Sequence, residues 1–381
     1  MTDAPATASR AVAPFSFVGP DHPMAARMER LRAAIAAHDP APGASVHADL
    51  TLREEPGAGL ALHRAYWSVQ AHGPGGFAAR TLDYRARRDR ATWLEFPEDP
   101  QLPALAELAG AVLRYMPQRR CTTLADGVVL KVKRPHRAAQ AWALLGAVDR
   151  ALGDGRAGFA VPAPVAYDAA RAIYSQTAVA GDDLSDVLDA DRLRHAGELH
   201  RAMHAADVPG IPAEDECALR DELRADAQWV AFALPEHAES VTAVLGTLER
   251  RALEPPAAPA FCHGDLVPSQ LLVDGDRWAI TDFDGARIGD PHRDLATWLA
   301  SLTSDVPALK RAADAGDDTT VAAAEAAYLD GYGAHDPRRL AWQRAAAELH
   351  SVAVALKKDR HHPDRTARAL RVARACVEAL R

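Results

Sequence analysis

Two polar runs carry side chains that could act together: Phe261-Cys262-His263-Gly264-Asp265-Leu266-Val267-Pro268-Ser269-Gln270 and Ala279-Ile280-Thr281-Asp282-Phe283-Asp284-Gly285. Apolar neighbours flank both, which predicts buried backbones with fixed polar tips. The turn Asp274-Gly275-Asp276 folds the strand-like island Gln270 to Ile280 between them into a hairpin, so the two tips converge. Phosphoryl transfer needs such a set. A carboxylate orients the attacking hydroxyl and accepts its proton, and hard oxygen ligands hold the magnesium that bridges nucleotide phosphates. Asp265 suits the first task. Gln270, five positions on, offers a neutral carbonyl oxygen and Asp282 a carboxylate, both suited to Mg²⁺. Asp284 is either a second metal ligand or a loop carboxylate. Alone, His-Gly-Asp is a common turn and Asp-Phe-Asp a solvated loop; the order and spacing of the two make the signal specific. His263 reads as a structural residue of the first loop.

The elements that must position these loops follow from periodicity and punctuation. Residues 1–103 read as a mixed α/β unit. It has a helix from Met24 to Ala37 (Met24, Met28, Leu31 and Ile35 at helical spacing), a breaker run Asp39 to Gly43, and strands at Ser45 to Leu52, Leu60 to Gln70 and Ala91 to Phe96. Residues 104–178 begin with a short helix, Leu105 to Leu113. Strands follow at Leu113 to Met116, Arg120 to Leu124 and Val128 to Lys133, the last two joined by the hairpin dipeptide Asp126-Gly127. A helix from Arg137 to Leu152 and strands at Val165 to Tyr167 and Ala172 to Gln176 complete a small antiparallel sheet lobe. Residues 179–381 are helix-rich around the catalytic hairpin, with helices expected at 191–205, 218–232, 240–252, 291–302, 319–331, 338–356 and 364–380. The fold class is therefore α+β, a sheet lobe before a helical lobe. Asp290 and Asp294 are expected to hydrogen-bond the catalytic loop or cap the helix starting near Pro291.

His263-Gly264-Asp265 with Gln270 and Ile280-Thr281-Asp282, followed by Gly289-Asp290-Pro291-His292-Arg293-Asp294, resembles the motif set of the aminoglycoside phosphotransferase family, small-molecule kinases of protein-kinase-like bilobal fold. The resemblance covers roughly residues 110–381. It implies that Asp265 is the catalytic base, that Asp282 is the main metal ligand, and that Gln270 stands where the family usually has Asn. It also implies that Lys131, on the same strand face as Lys133, grips nucleotide phosphates, with Gln140 in place of the usual helix glutamate. Tyr115-Met116-Pro117-Gln118-Arg119-Arg120 resembles the family's phosphate-covering turn with Gln118 for glycine, and Arg119 adds charge there. The backbone of Thr177, Ala178 and Val179 would pair with adenine at the interlobe hinge. Helices after the hinge and after the metal loop would line the acceptor pocket. Asp221, Asp226 and Trp229 in one, and Glu325 and Tyr328 in the other, suit a sugar or amino sugar as well as they suit ordinary amphipathic helices. The run Lys357-Lys358-Asp359-Arg360-His361-His362 either meets a substrate phosphate or carboxylate or is a solvated loop. The N-terminal unit resembles the cap of maltokinase-like proteins.

The function implied is ATP- and Mg²⁺-dependent phosphorylation of a small-molecule hydroxyl on a sugar, amino sugar or aminoglycoside-like compound. A pseudokinase that binds nucleotide or a protein partner is the alternative, and metal-dependent hydrolysis through His263, Asp265 and Asp282 a third. Composition excludes much else. Of 381 residues, 44 are Lys or Arg and 52 Asp or Glu, a net charge of -8 that argues against nucleic acid and anionic membranes as partners. Four scattered cysteines form no metal or disulfide pattern. The segment Met1 to Pro14 reads as a loose tail without signal-peptide character, and the expectation is a cytoplasmic monomer or homodimer.

Overall fold

A computed structural model describes residues 14–36, 44–55, 59–73, 76–186 and 188–380. The tail over 1–13, the breaker run 39–43 and Pro74-Gly75 lie outside the described residues. Helix α1 (Ala25–Ala36) buries Met28, Leu31 and Ile35 at the expected spacing. Four antiparallel strands follow in the order β1-β2-β3-β4: β1 (Ser45–Glu55), β2 (Gly59–Gly73), β3 (Gly76–Arg85) and β4 (Arg90–Glu95). Strand β3 is not among the expected elements. Its charges conceal it, because Asp83 is buried and neutralised across the sheet by Arg64, whose Nε and Nη2 donate to the two carboxylate oxygens at 2.7 and 2.8 Å.

A 3₁₀ turn, Pro103–Glu107, replaces the helix expected over Leu105 to Leu113. Gly110 ends it at φ 93°, passing so close to the Leu124 carbonyl that a Cβ would lie 2.4 Å from the oxygen. From Ala111 the chain pairs as a strand. The sheet lobe has the order β5-β6-β7-β9-β8, built from β5 (Ala111–Met116), β6 (Arg120–Ala125), β7 (Val128–Lys133), β8 (Pro164–Asp168) and β9 (Ile173–Thr177), with α2 (Pro135–Leu152) packed on it. Then come β10 (Asp182–Asp183), α3 (Ala190–His204), α4 (Glu216–Ala233) and α5 (Ala238–Arg250). The hairpin region between Asp265 and Asp282 and the strands that flank it are β11 (Ala260–Cys262), β12 (Leu271–Asp274), β13 (Arg277–Ile280) and β14 (Arg287–Gly289). Helices α6 (Pro291–Asp305), α7 (Pro307–Asp314), α8 (Asp318–Tyr332), α9 (Pro337–Lys357) and α10 (Pro363–Glu378) close the chain. No helix of the described residues is long and apolar enough to cross a membrane.

The N-terminal unit shares its core with the helical lobe. One continuous apolar cluster joins Met28 and Leu31 of α1 and Leu62 and Leu82 of the first sheet to Val230 of α4, Val244 of α5, Leu349 of α9 and Leu370 of α10. A second cluster, around Trp298, Leu295, Ile280 and Phe261, supports the β12–β13 hairpin. The interlobe cleft lies above these supports.

The turn between β5 and β6 carries visible strain. Gln118 takes φ 63°, a left-handed conformation that glycine adopts freely and other residues do not. Its amide side chain is buried, with neither Oε1 nor Nε2 hydrogen-bonded. Gln118→Gly removes both penalties and is expected to raise the unfolding free energy by about 1 kcal/mol or more. Chemical denaturation measures this, and an unchanged or lower midpoint would contradict the reading.

Candidate active site

A cavity of about 1570 Å³ opens between the lobes, lined by Val129 and Lys131 of β7, by Thr177, Ala178 and Val179 after β9, and by Asp265, Gln270 and Asp282. Asp282 follows β13 at φ 68° and ψ 45°. Its carboxylate accepts hydrogen bonds from Lys131 Nζ at 3.0 Å and Arg120 Nη1 at 3.2 Å. Burial pushes this carboxyl upward, but Lys131 and Arg120 outweigh burial and hold it well below the usual carboxylate range. Asp284 pairs with Lys133, receives Arg120 at 3.3 Å and accepts the Tyr174 hydroxyl at 3.0 Å. Each lysine of the shared strand face thus finds its own aspartate. Both carboxylates are held by protein cations, and Asp282 faces the cleft.

Two residues expected to serve the nucleotide are placed elsewhere. Gln140 sits on the exposed face of α2, accepting from Arg137 at 3.3 Å, because the helix turns Ala138, Ala141 and Leu145 toward the sheet. Arg119 borders the cavity, but its guanidinium is bound to Asp49 of β1 at 2.9 Å. Arg120, Lys133 and Tyr174, which sequence reasoning did not single out, surround the aspartates instead. Only alternation along β6 and β7 could have pointed to the first two.

The loop bearing Asp265 is held from below. Gly264 has φ 90°, and a Cβ there would lie 2.1 Å from the Gly285 carbonyl oxygen, so the two polar runs touch backbone to backbone. The His263 ring packs on Phe283 with centroids 4.7 Å apart, its Nε2 2.9 Å from the Thr281 carbonyl oxygen. Asp294, in the first turn of α6 and wholly buried, accepts the His263 amide at 2.6 Å and the Gly264 amide at 3.0 Å. Facing it, one turn apart on α3, are His200 and His204, their Nε2 atoms 3.6 and 3.5 Å from the carboxylate. Behind them the hydroxyls of Tyr328 and Tyr332 engage the two Nδ1 atoms. Burial pushes the Asp294 carboxyl upward, yet His200 and His204 keep it well below its usual range. Burial and the neighbouring His204 push His200 down to about 4. Asp290 caps α6 through the His292 amide and is bound by Arg339 and Gln343.

Asp265 itself opens into the cavity while crowded by protein on its other sides. Burial, then the Asp282 charge, push its carboxyl upward, against the opposing pull of His263 and Lys358. Gln270 turns back on its own loop. Its Oε1 accepts the Val267 amide at 3.2 Å, and its backbone carbonyl receives the amide and hydroxyl of Thr281 at 3.0 and 3.2 Å. One lone pair of Oε1 remains, and Gln270 and Asp282 both line the cavity with oxygen donors of the kind magnesium takes. At the hinge, the Thr177 and Ala178 amides are spent on Ala163 and Gly127, while the Val179 amide has no partner among the described residues. His263 engages Thr281 through Nε2, and it does not lie close enough to Asp265 and Asp282 to form a three-ligand group with them among the described residues. Among the described residues, the group of potential ligands that do lie together is His200, His204 and Asp294. Both Asp294 oxygens already accept loop amides.

Of the residues expected to line an acceptor pocket, Asp226 borders the cavity, held by His350 at 2.6 Å and Lys357 at 2.8 Å. The others do not. Asp221 is exposed and pairs with Arg224; Trp229 is core, donating Nε1–H to the Ala353 carbonyl; Glu325 pairs with Arg344; and Tyr328 is buried against His200. Helical spacing alone cannot tell a pocket face from a core face.

A family model described as the phosphotransferase enzyme family matches residues 119–342. No curated protein matches the chain. Among solved structures, a choline/ethanolamine kinase family protein from Mesorhizobium loti is 18% identical, covering 73% of this chain and 95% of its own, with a TM-score of 0.49. A thermostable mutant of the aminoglycoside phosphotransferase APH(4)-Ia is 17% identical over 70% and 93%, with a TM-score of 0.47. The macrolide 2'-phosphotransferase MphH from Brachybacterium faecium is 20% identical over 71% and 95%, with a TM-score of 0.42.

Proposed function

The chain belongs to the phosphotransferase enzyme family, and from that premise we propose that it moves the γ-phosphoryl group of ATP to a hydroxyl of a small molecule, such as a sugar, amino sugar or related natural product. Asp265 is the base. It orients the acceptor hydroxyl and takes its proton as the oxygen attacks phosphorus, and ADP leaves. Asp282, Asp284 and Gln270 would hold magnesium, which when bound neutralises charge on the transferring phosphates. Lys131 and Arg120 add positive charge on the same side, and the free Val179 amide is available to the adenine edge.

The observation that carries this reading is the meeting of Asp265, the Lys131–Asp282 pair and the open hinge amide on one cavity. The same observation weighs against a pseudokinase, whose site would need no exposed base beside an ionised metal carboxylate. ADP release with Mg·ATP and a panel of polyols, amino sugars and aminoglycosides tests it. Acceptor-dependent turnover is expected. Asp282→Ala is expected to remove the magnesium dependence of nucleotide binding, read by titrating ATP with and without the ion; an unaltered dependence would exclude Asp282 as the ligand.

A further inference from the structure

Where the sheet lobe meets the loop after α9, three neighbouring cations stand without partners. Arg114 comes from β5 beside its register shift, and Lys358 and Arg360 come from the loop that follows α9. All three line the main cavity together with Asp265, and all three also line a small recess that runs under β1 beside His47, Asp49 and Tyr66. Most other basic residues of the cavity are matched: Arg120 and Lys131 to Asp282, Arg293 to Glu214, Arg339 to Asp290, Lys357 to Asp226; Lys310 of α7 stands alone, outside the small recess that gathers the three. Arg114, Lys358 and Arg360 form no side-chain ion pair or hydrogen bond among the described residues.

Their closeness is built into the fold. Asp359, between the two loop cations, takes φ 53° and directs its carboxylate to the Phe15 amide at 2.7 Å, away from neutralising its neighbours. His361 packs on Phe17 with centroids 6.1 Å apart, and its Nδ1 lies 3.0 Å from the Thr366 hydroxyl. The N-terminal segment therefore pins this loop against the cleft. Like charges held together repel, and the strain shows: burial and the charges of Arg360, Arg114 and Arg119 push the Lys358 ammonium downward. Lys358 and Asp265 feel each other's charge, as do Arg360 and Asp305. The cluster thus shares the cavity of the base, with Arg114 paired across β6 at Thr122 in the row that leads to Lys131, and Lys358 and Arg360 reaching it from the loop after α9. A fold that keeps three unpaired cations together on a binding cavity is complementary to an anion.

We propose that Arg114, Lys358 and Arg360 form an anion subsite for the acceptor, so that the molecule phosphorylated carries a carboxylate or a phosphate monoester besides its reacting hydroxyl. The inference rests on the kinase reading above and narrows its substrate class away from cationic amino sugars.

The test compares the wild-type protein with the Lys358→Ala/Arg360→Ala double variant. Thermal unfolding is first measured with saturating Mg·AMP-PNP, then with inorganic sulfate added at constant ionic strength. Both proteins are expected to gain the same stabilisation from AMP-PNP, and only the wild type to gain more from sulfate. In ADP-release assays, glucose 6-phosphate and glucuronate are then compared with glucose and glucosamine. At least one of the two anions is expected to be the preferred acceptor, with kcat/KM lowered about 10- to 100-fold in the variant; which of them responds separates phosphate from carboxylate recognition. Equal sulfate stabilisation of both proteins, or a preference for glucosamine, would overturn the anion subsite while leaving the kinase reading intact. Loss of AMP-PNP stabilisation in the variant would also overturn it, by assigning these cations to the nucleotide. No AMP-PNP stabilisation of the wild type would instead overturn the kinase reading itself, and this inference with it.

Discussion

Asp265→Asn is expected to lower kcat by about 10²- to 10⁴-fold, the usual contribution of a positioned base, while nucleotide affinity stays nearly constant. The amide keeps the shape of the carboxylate and loses its basicity. Little else should change, because the loop is held by the His263 and Gly264 amides on Asp294 and by the Gly264–Gly285 approach, none of which involves the Asp265 side chain. The pH profile carries a second signature. Burial first, and the Asp282 charge second, raise the Asp265 carboxyl above its ordinary value. A base acts only when unprotonated, so kcat/KM should fall with decreasing pH through a value above the reference of about 3.9 for Asp. Steady-state ADP release across pH measures both effects. Full turnover in the Asn variant would remove Asp265 from the base role.

Asp294→Ala is expected to cost about 3–5 kcal/mol of folding stability, the range for removing one partner from a buried charged network. The carboxylate is fully buried and serves two backbone amides and two imidazoles. Without it, two buried N–H donors are orphaned at the base of the catalytic loop, each at about 1–3 kcal/mol. Activity should fall as well, since Asp265 is the next residue. The acid limb of stability gives the sign. Because the folded Asp294 carboxyl lies well below its unfolded value, its stabilisation is complete above the unfolded value and is lost as pH falls through the folded one. Chemical denaturation of wild type and variant at neutral pH and in acid should therefore show a gap that narrows in acid. A variant as stable as wild type at neutral pH would mean that the loop does not depend on this clamp.

The Asp265 to Asp282 region was legible because its members are near neighbours in the chain. Seventeen positions separate them, and the hairpin β12–β13, marked by Asp274-Gly275-Asp276, returns the second loop to the first. Asp290 and Asp294 were legible as supports through their place at the start of α6, although only packing assigns the cap to one and the loop amides to the other. Strand alternation placed Lys131 and Lys133 on one face, and only the family resemblance singled out Lys131. The choice between Arg119 and Arg120 was not, because it depends on which way each side chain leaves the turn, and Asp49 of a distant strand captures Arg119. Gln140 failed as a partner for the same kind of reason, the rotation of α2 about its axis. The acceptor residues fared worst. Trp229 and Tyr328 occupy buried helix faces, and apolar periodicity looks the same whether it faces core or cavity.

By itself the sequence determined the members of the proposed centre: Asp265 as base, Gln270 and Asp282 as oxygen ligands and Lys131 as strand lysine, in an order that local turns convert into proximity. Tertiary structure alone decided what surrounds them. It drew β3 out of a charged segment by pairing Asp83 with Arg64, merged the N-terminal unit with the helical core, and used that unit to press Lys358 and Arg360 toward Arg114. Short-range geometry follows from steric and turn preferences that each residue carries with it. Charge neutralisation, burial and the facing of helices are set by partners a hundred or more positions away, and no local pattern encodes which partner arrives.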